Sequence, residues 1–337
     1  MKLFHIVLFS EVNLERKVYM SLIIILKRNI IRFRDQIVNE IKKNHQLYLI
    51  VMLPLAFIIV FNYIPLYGVQ IAFRDFRAVD GILGSKWVGL KYFDKFFNAY
   101  EFERAIKNTL EISIYSLVAG FPIPIILAIS LNNAIGNKFK KTVQLITYAP
   151  FFISTVVLVG ILTQFLSTAD YGVVNNVLRQ LGIKPIMFMS MPEYFSSVYV
   201  WTSIWQGAGW SAIIYIAALS GIDQELYEAA QVDGASRMQR IFHIDIPGIL
   251  PTIVIVLILS TGQIMNLGYE KVLLMQNDLN ISRSEIIATY VYKMGMASAL
   301  PNYSYAAAIG LFNSVINFSL LIIVNKISKR ISETSLW

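Results

Sequence analysis

Six long apolar segments constrain the fold of this chain more than any other feature of its sequence. They lie near residues 47–65, 109–131, 143–166, 198–221, 247–267 and 305–325. Each has about the 20 residues that an α-helix needs to cross the hydrocarbon core of a bilayer. Only 15% of the residues are charged and the mean hydropathy is +0.58, whereas soluble domains carry about 25% charged residues. The sequence therefore predicts an all-α, polytopic membrane protein with six transmembrane helices.

The positions of lysine and arginine predict that the N- and C-termini are both cytoplasmic. Basic residues next to transmembrane segments favour the cytoplasmic side. They flank the first segment, follow the second and follow the last: Lys42, Lys43, Lys138, Lys140, Lys141, Lys326, Lys329 and Arg330. This orientation accounts for the net charge of +8, so we expect no nucleic-acid partner. The predicted location is the cell membrane, plasma or inner, with multiple passes.

We divide the chain into a cytoplasmic N-terminal segment, 1–46, and a six-helix transmembrane domain, 47–337. Between Leu22 and Ile41, apolar residues recur at helical spacing among basic ones. This pattern predicts an amphipathic helix. It either lies on the cytoplasmic surface of the membrane, in contact with lipid, or packs on a neighbouring subunit.

Several chemical functions are disfavoured by what the chain contains. It has no cysteine, and its histidines, His5, His45 and His243, are too far apart for a helical metal site. We therefore expect no metal site, and the scattered acids do not suggest a membrane enzyme. Within the apolar segments, Glu111 is the one ionisable candidate. Ion-coupled secondary transporters need intramembrane charge, so that class is a weaker alternative.

The loop at 223–251 carries the most informative pattern. Glu225 to Ala230 is good helix-forming sequence with acidic residues near its start, where the helix dipole favours them. Gly234 follows, at a point where the chain can turn with a positive φ that a β-carbon would oppose. A second short helix is predicted over Ser236–Ile241. Pro247 and Pro251 then begin the fifth apolar segment, where missing backbone donors cost least.

This loop resembles the EAA loop of ATP-binding-cassette (ABC) importer permeases of type I. In that family the loop forms a pair of helices that sits in a groove on a separate ATPase. The resemblance implies that nine residues couple this chain to such an ATPase: Glu228, Ala229, Ala230, Asp233, Gly234, Ala235, Arg237, Phe242 and Pro247.

Further segments resemble the carbohydrate-uptake permeases, the superfamily of the maltose permease, and within it the branch that imports complex oligosaccharides with lipoprotein binding components. They are Tyr63–Gly68, Gly81–Ser85 with Trp87–Leu90, Tyr303–Phe312 and Glu333–Trp337. The similarity runs from about residue 46 to the end of the chain.

The resemblance implies a set of partners: a second, homologous permease subunit, two ABC ATPase subunits and an extracellular solute-binding lipoprotein. The sequence has no phosphate-binding Gly-x-x-x-x-Gly-Lys-Ser/Thr motif. We therefore expect no cofactor in this chain, with ATP and Mg bound by the partner ATPase. The expected function is that of an oligosaccharide permease and not of an enzyme, and a non-sugar solute is the alternative.

Polar and aromatic residues within the apolar segments are candidates for a substrate pathway, because sugars bind to aromatic faces and to amide or hydroxyl groups. An amide facing lipid is costly, so such residues face protein or water. The same residues could also hold helices together, and the tryptophans could belong to an interfacial belt. The candidates are Trp205, Gln206, Trp210, Tyr215, Gln263, Asn266, Asn313 and Asn317.

Overall fold

The computed structural model describes residue 40 and residues 42–332. The amphipathic helix predicted between residues 22 and 41 therefore lies outside the described residues except for Glu40, and so does the terminal segment 333–337. The described residues fall into two compact units, one ending at Gly68 and the other beginning at Val69.

Most of the described residues are helical. The α-helices are α1 (His45–Ile58), α2 (Ile64–Leu66), α3 (Gly81–Gly84), α4 (Lys91–Phe97), α5 (Tyr100–Gly120), α6 (Pro122–Asn133), α7 (Asn137–Tyr148), α8 (Thr155–Phe165), α9 (Val173–Gln180), α10 (Pro192–Ser220), α11 (Gln224–Val232), α12 (Arg237–Arg240), α13 (Ile246–Gly262), α14 (Tyr269–Met275), α15 (Ile281–Ser284), α16 (Ile287–Tyr292) and α17 (Tyr303–Ser332). Segments of 3-10 helix cover Tyr67–Phe73 and Ala149–Phe152, and π-helical segments cover Ile59–Tyr63, Ile241–Asp245 and Lys293–Ala297. Two strands, β1 (Arg74–Asp75) and β2 (Lys86–Trp87), pair antiparallel with Arg74 opposite Trp87.

Four continuous helices among the described residues are long and apolar enough to cross a membrane: His45–Phe73, Tyr100–Asn133, Arg237–Gly262 and Tyr303–Arg330. They contain the predicted first, second and sixth segments and most of the fifth, whose helix ends at Gly262. The predicted fourth segment lies in α10, which is about 43 Å long at 1.5 Å per residue. Helix α10 does not meet the same criterion of length and hydropathy.

The predicted third segment, 143–166, does not form one straight helix. The helices Asn137–Phe152 and Thr155–Phe165 meet at an angle of 101°. Pro150 lies in the short 3-10 segment at the break, where its ring cannot continue an α-helix hydrogen-bond ladder. Ser154 then starts α8 by accepting a hydrogen bond from the backbone N–H of Val157 at 3.4 Å.

Helix α10 is the element on which the inner packing is built, because it contacts α5, α6, α7 and α13. Tyr215 and Leu219 of α10 are buried together with Ala128 of α6 and Ile249 of α13. Further along α10, Tyr199 and neighbouring apolar residues pack against Ile112 of α5. The buried Lys271 of α14 donates hydrogen bonds from its Nζ to α10, to the carbonyl of Tyr199 and the hydroxyls of Thr202 and Ser203.

The aromatic segment between residues 66 and 107 is folded. Phe96 of α4 is fully buried and packs against Tyr290, Tyr305 and Phe312 of α16 and α17. The phenol of Tyr92 donates a 2.5 Å hydrogen bond to Asp75.

Two ion-pair clusters join α5 to the region between α14 and α17. The buried carboxylate of Glu285 pairs with Arg104 and, at 3.1 Å, with Lys293. Glu111, the ionisable residue predicted within the second segment, forms a 2.6 Å ion pair with Arg283 while both side chains are partly exposed. Glu111 is therefore neutralised locally.

Helix α7 closely approaches the backbone of α10 at Gly209. A β-carbon at this position would lie 2.0 Å from the carbonyl oxygen of Thr147 in α7. Small residues allow helix backbones to approach in this way in membrane proteins. Gly207 lies two residues earlier on the same helix. A β-carbon at Gly207 would have no atom within 4 Å.

We predict that Gly209→Ala destabilises the protein and that Gly207→Ala does not. Alanine favours a helix interior over glycine by about 1 kcal/mol, so only the clash with α7 distinguishes the two sites. Thermal unfolding of the purified protein in detergent should show a lower Tm for Gly209→Ala alone. Equal Tm values for the two variants would contradict the close packing of α7 on α10.

Candidate functional site

The loop predicted to couple the chain to a partner begins with α11. The Asp223 side chain accepts a hydrogen bond from the backbone N–H of Glu225 at 3.0 Å and thereby starts the helix. Gly234 follows the helix with a φ of +73°. A β-carbon there would meet no atom within 4 Å, so the backbone conformation, and not space, requires glycine. The predicted positive φ at Gly234 is confirmed.

The second part of the loop returns the chain to a long helix. Ser236 and Gln239 form a capping box, in which each side chain accepts a hydrogen bond from the other residue's backbone N–H. Helix α12 continues as the π-helical segment Ile241–Asp245. Pro247 follows this segment inside the continuous helix Arg237–Gly262, so the predicted helix start at Pro247 is wrong and its missing N–H interrupts the backbone hydrogen-bond ladder.

The surface of this loop is apolar and acidic. Leu226, Val232, Met238 and Phe242 are all exposed large apolar side chains, and Glu228 is exposed among them. A 280 Å³ hollow between α11 and the following helices is lined by Ala230, Ala235, Gln239, Arg240, His243 and Ile244. Contiguous exposed apolar groups of this kind mark contact surfaces.

The predicted coupling residues fall on this loop, but not all of them on its surface. Ala230 and Ala235 are partly buried at the hollow, and the others are exposed: Glu228, Ala229, Asp233, Gly234, Arg237, Phe242 and Pro247.

Beneath the loop lies a carboxyl group that the sequence analysis did not single out. Asp245 is fully buried and ends the π-helical segment at the base of α13. Its oxygens accept hydrogen bonds from the hydroxyl of Tyr227 in α11, at 2.5 Å, and from the amide of Asn133 at the end of α6, at 2.7 Å. Burial and the adjacent Asp245 raise the pKa of Tyr227 to about 12, so its hydroxyl stays protonated and donates. The sequence signal that could have identified Asp245 is an acidic residue two positions before Pro247.

A cavity of about 530 Å³ lies between α5, α10 and α13. Its polar lining consists of hydroxyl and amide groups: Ser113, Ser116, Ser211, Tyr215, Ser260, Gln263 and Asn266. The remaining lining residues are apolar or glycine, and the described lining includes no charged side chain. The cavity is therefore a neutral, hydroxyl-rich site within the membrane-spanning region.

Three of the predicted pathway residues line this cavity, namely Tyr215, Gln263 and Asn266. The sequence analysis missed Ser113 and Ser116. Their hydroxyl groups are buried without a hydrogen-bond partner, although a helical serine commonly bonds to the carbonyl four residues earlier. Ser113, Ser116 and Gly120 recur along one face of α5, which is a signal the sequence already contained.

The other predicted pathway residues on α10 lie elsewhere. The Gln206 amide donates a 2.8 Å hydrogen bond to the carbonyl of Ile153, at the break before α8. Trp210 stacks on Phe151 with ring centroids 4.5 Å apart, and Trp205 is 55% exposed. The side chains of Gln206 and Trp210 thus hold the bent α7–α8 region to α10.

Asn313 and Asn317 of α17 tie that helix to the end of α13. Both amides donate to the side-chain oxygen of Asn266, at 3.1 and 3.0 Å. Asn317 also accepts from the backbone N–H of Met265 at 3.0 Å, just past the end of α13. Asn313 additionally lines a second cavity of about 480 Å³, which includes Tyr269 and Tyr303.

Comparison with known proteins agrees with this architecture. The family model described as "Binding-protein-dependent transport system inner membrane component" matches residues 120–333. Protein LplB of Bacillus subtilis is 40% identical over 297 residues, which cover 88% of this chain and 92% of LplB. The polygalacturonan/rhamnogalacturonan transport system permease protein YteP of the same organism is 38% identical over 304 residues, or 90% of this chain and 94% of YteP.

A solved structure is also similar over most of the chain. It is described as the crystal structure of a bacterial ABC transporter involved in the import of the acidic polysaccharide alginate. The similarity has a TM-score of 0.79 and 37% identity, and it covers 88% of this chain and 99% of that one. The chain belongs to the family of binding-protein-dependent transport system inner membrane components: it is a multi-pass membrane permease of an ABC importer, in which a separate partner carries the ATPase.

Proposed function

We propose that the chain is one half of the permease of an oligosaccharide importer and that the neutral cavity between α5, α10 and α13 belongs to its substrate pathway. The observation that carries this proposal is the cavity lining. The residues that line this space of about 530 Å³ include seven with hydroxyl or amide groups, and the described lining residues include none that is charged. Sugar hydroxyls both donate and accept hydrogen bonds, and these groups do the same.

The relatives support a glycan over another solute. YteP is named for polygalacturonan and rhamnogalacturonan transport, AraP of Bacillus subtilis for arabinooligosaccharides, and the similar solved structure for alginate. The uncharged cavity is unsuited to an ion-coupled carrier, which requires intramembrane acids. In this half of the permease, recognition would fall to the hydroxyl and amide groups.

In the proposed assembly this chain forms only one half of the permease, and other subunits complete the importer. The chain supplies one permease half with six membrane-spanning segments and cytoplasmic termini, with α10 as the fourth segment. The complete importer would add a homologous second permease, two ATPase subunits that bind ATP and Mg, and an external binding lipoprotein. The solved alginate importer has also been described in complex with an alginate pentasaccharide-bound periplasmic protein, which supports a binding-protein partner here.

The loop from Asp223 to Pro251 is the proposed contact with the ATPase. Its exposed apolar side chains would enter a groove on the partner, as amphipathic helices do in other complexes. Glu228 would present its charge to the same partner. Gly234 would set the angle between α11 and α12, since its φ of +73° strongly disfavours β-branched residues.

We predict that Ser113→Ala and Gln263→Ala each reduce uptake about tenfold, because a lost hydrogen bond is worth about 1 kcal/mol or somewhat more. The assay is uptake of labelled oligosaccharides, an alginate pentasaccharide and oligogalacturonides, into vesicles that hold the complete importer. Basal ATP hydrolysis should persist. Ser314→Ala is the control, because Ser314 bonds to the carbonyl of Gly310 within α17 and does not line the cavity. Uptake equal to this control in both variants would place the pathway elsewhere.

We predict that Glu228→Lys and Gly234→Val abolish coupled transport while the protein still inserts into the membrane. The first reverses a charge on the proposed contact, and the second strains the turn. Gly234→Asn should retain much of the activity, because asparagine tolerates the left-handed conformation. A pull-down of the ATPase, combined with vesicle uptake, measures both effects. Normal ATPase association and full uptake in Glu228→Lys and Gly234→Val would show that the loop is not the coupling site.

A further inference from the structure

Three separate elements meet at the buried carboxyl of Asp245. One oxygen accepts from Tyr227 of α11 and the other from Asn133 at the end of α6, while Asp245 itself stands at the base of α13. Asn133 also donates to the carbonyl of Ile129, so its amide is oriented by its own helix. A single side chain thus connects the loop to two membrane-spanning helices.

Helix α11 has few other attachments. None of its described residues is fully buried, and Glu225, Leu226, Glu228 and Ala229 are exposed. Its Tyr227 side chain is partly buried and reaches inward to Asp245. Because α11 has no fully buried residue, the Tyr227–Asp245 hydrogen bond attaches this otherwise exposed helix to the helices beneath it.

The local backbone also differs from a regular helix at this place. Asp245 closes the π-helical segment Ile241–Asp245. Such segments carry one extra residue per turn and are frequent at functional sites. The segment lies between α12 and α13 within one continuous helix, and its last residue carries the buried carboxyl.

We propose that Asp245 is a mechanical joint: through Tyr227 and Asn133 it makes α11, the end of α6 and the base of α13 move as one body when the ATPase moves the loop. Asp245 is a positioning residue, because it lies beneath the exposed surface of the loop and does not line the cavity. The inference rests on the proposed role of the loop. It adds the route by which motion reaches the membrane-spanning helices.

The absence of cysteine from the chain permits a direct test with two introduced cysteines. Spin labels at Gln224→Cys, at the start of α11, and Ile135→Cys, just past α6, would both occupy exposed positions. Their separation is measured by pulsed electron paramagnetic resonance in the complete importer, without nucleotide and after trapping with ATP and vanadate. We expect the distance to be the same in both states, because the joint keeps the two elements together.

In Tyr227→Phe, which removes one hydroxyl, the distance should shift by about 2 Å or more or broaden on trapping, the scale of helix displacement in switching proteins. Tyr148→Phe is the matched control and should behave like the parent. Tyr148 lies on α7, and its hydrogen-bond neighbour is Gln144 of the same helix. A distance that changes in the parent protein, or that stays fixed in Tyr227→Phe, would overturn the proposal.

An exchange of the two groups provides a second test. Asp245→Asn places an amide against the Asn133 amide and should loosen the joint, whereas Asn133→Asp added to it restores one amide–carboxyl pair in reverse. The double variant should recover most of the parent's fixed distance. A double variant whose distance still changes on trapping would count against the joint. ATPase attachment in Glu228→Lys tests the loop's role separately, so a failure of either proposal can be told from a failure of the other.

Discussion

Every polar group within a membrane-spanning region must find a partner inside the protein, and this constraint organises the structure described here. Apolar burial alone does not bring helices together in lipid, so close packing and internal hydrogen bonds must do so. Gly209 allows α7 to approach α10. The side chain of Asn317 on α17 accepts a hydrogen bond from Met265 and donates one to Asn266, both just past the end of α13. Lys271 donates from its ammonium group to three oxygens of α10.

The same constraint gives meaning to the polar groups that remain without partners. The hydroxyls of Ser113 and Ser116 are buried and unbonded among the described residues, and they line the neutral cavity. A buried hydroxyl without a hydrogen bond is costly, so a water molecule or a sugar hydroxyl would be favoured there. The cavity and the loop are both next to α13, so one helix would connect the proposed solute site to the proposed partner site.

Much of the fold could be predicted from the sequence. Apolar length predicted a multi-pass helical protein, and the loop's first helix and Gly234 turn follow from local chemistry, whereas the helix of the fifth segment begins at Arg237 and not at Pro247. The bend near Pro150 was not predicted: apolar composition does not distinguish a straight helix from two helices at 101°. Of the candidate pathway residues, Tyr215, Gln263 and Asn266 line the cavity, whereas Gln206 and Trp210 pack against the α7–α8 region.

The sequence by itself determined the class of the molecule, since hydropathy is summed along the chain and the loop's motif is local. Only the tertiary structure decided which polar residues form hydrogen bonds between helices and which do not. That distinction depends on which faces meet, as the pairing of Asn313 and Asn317 with Asn266 shows. It also decided that Asp245, Tyr227 and Asn133 form one group, because residues 112 positions apart in sequence come together only when α6 and α13 both pack on α10.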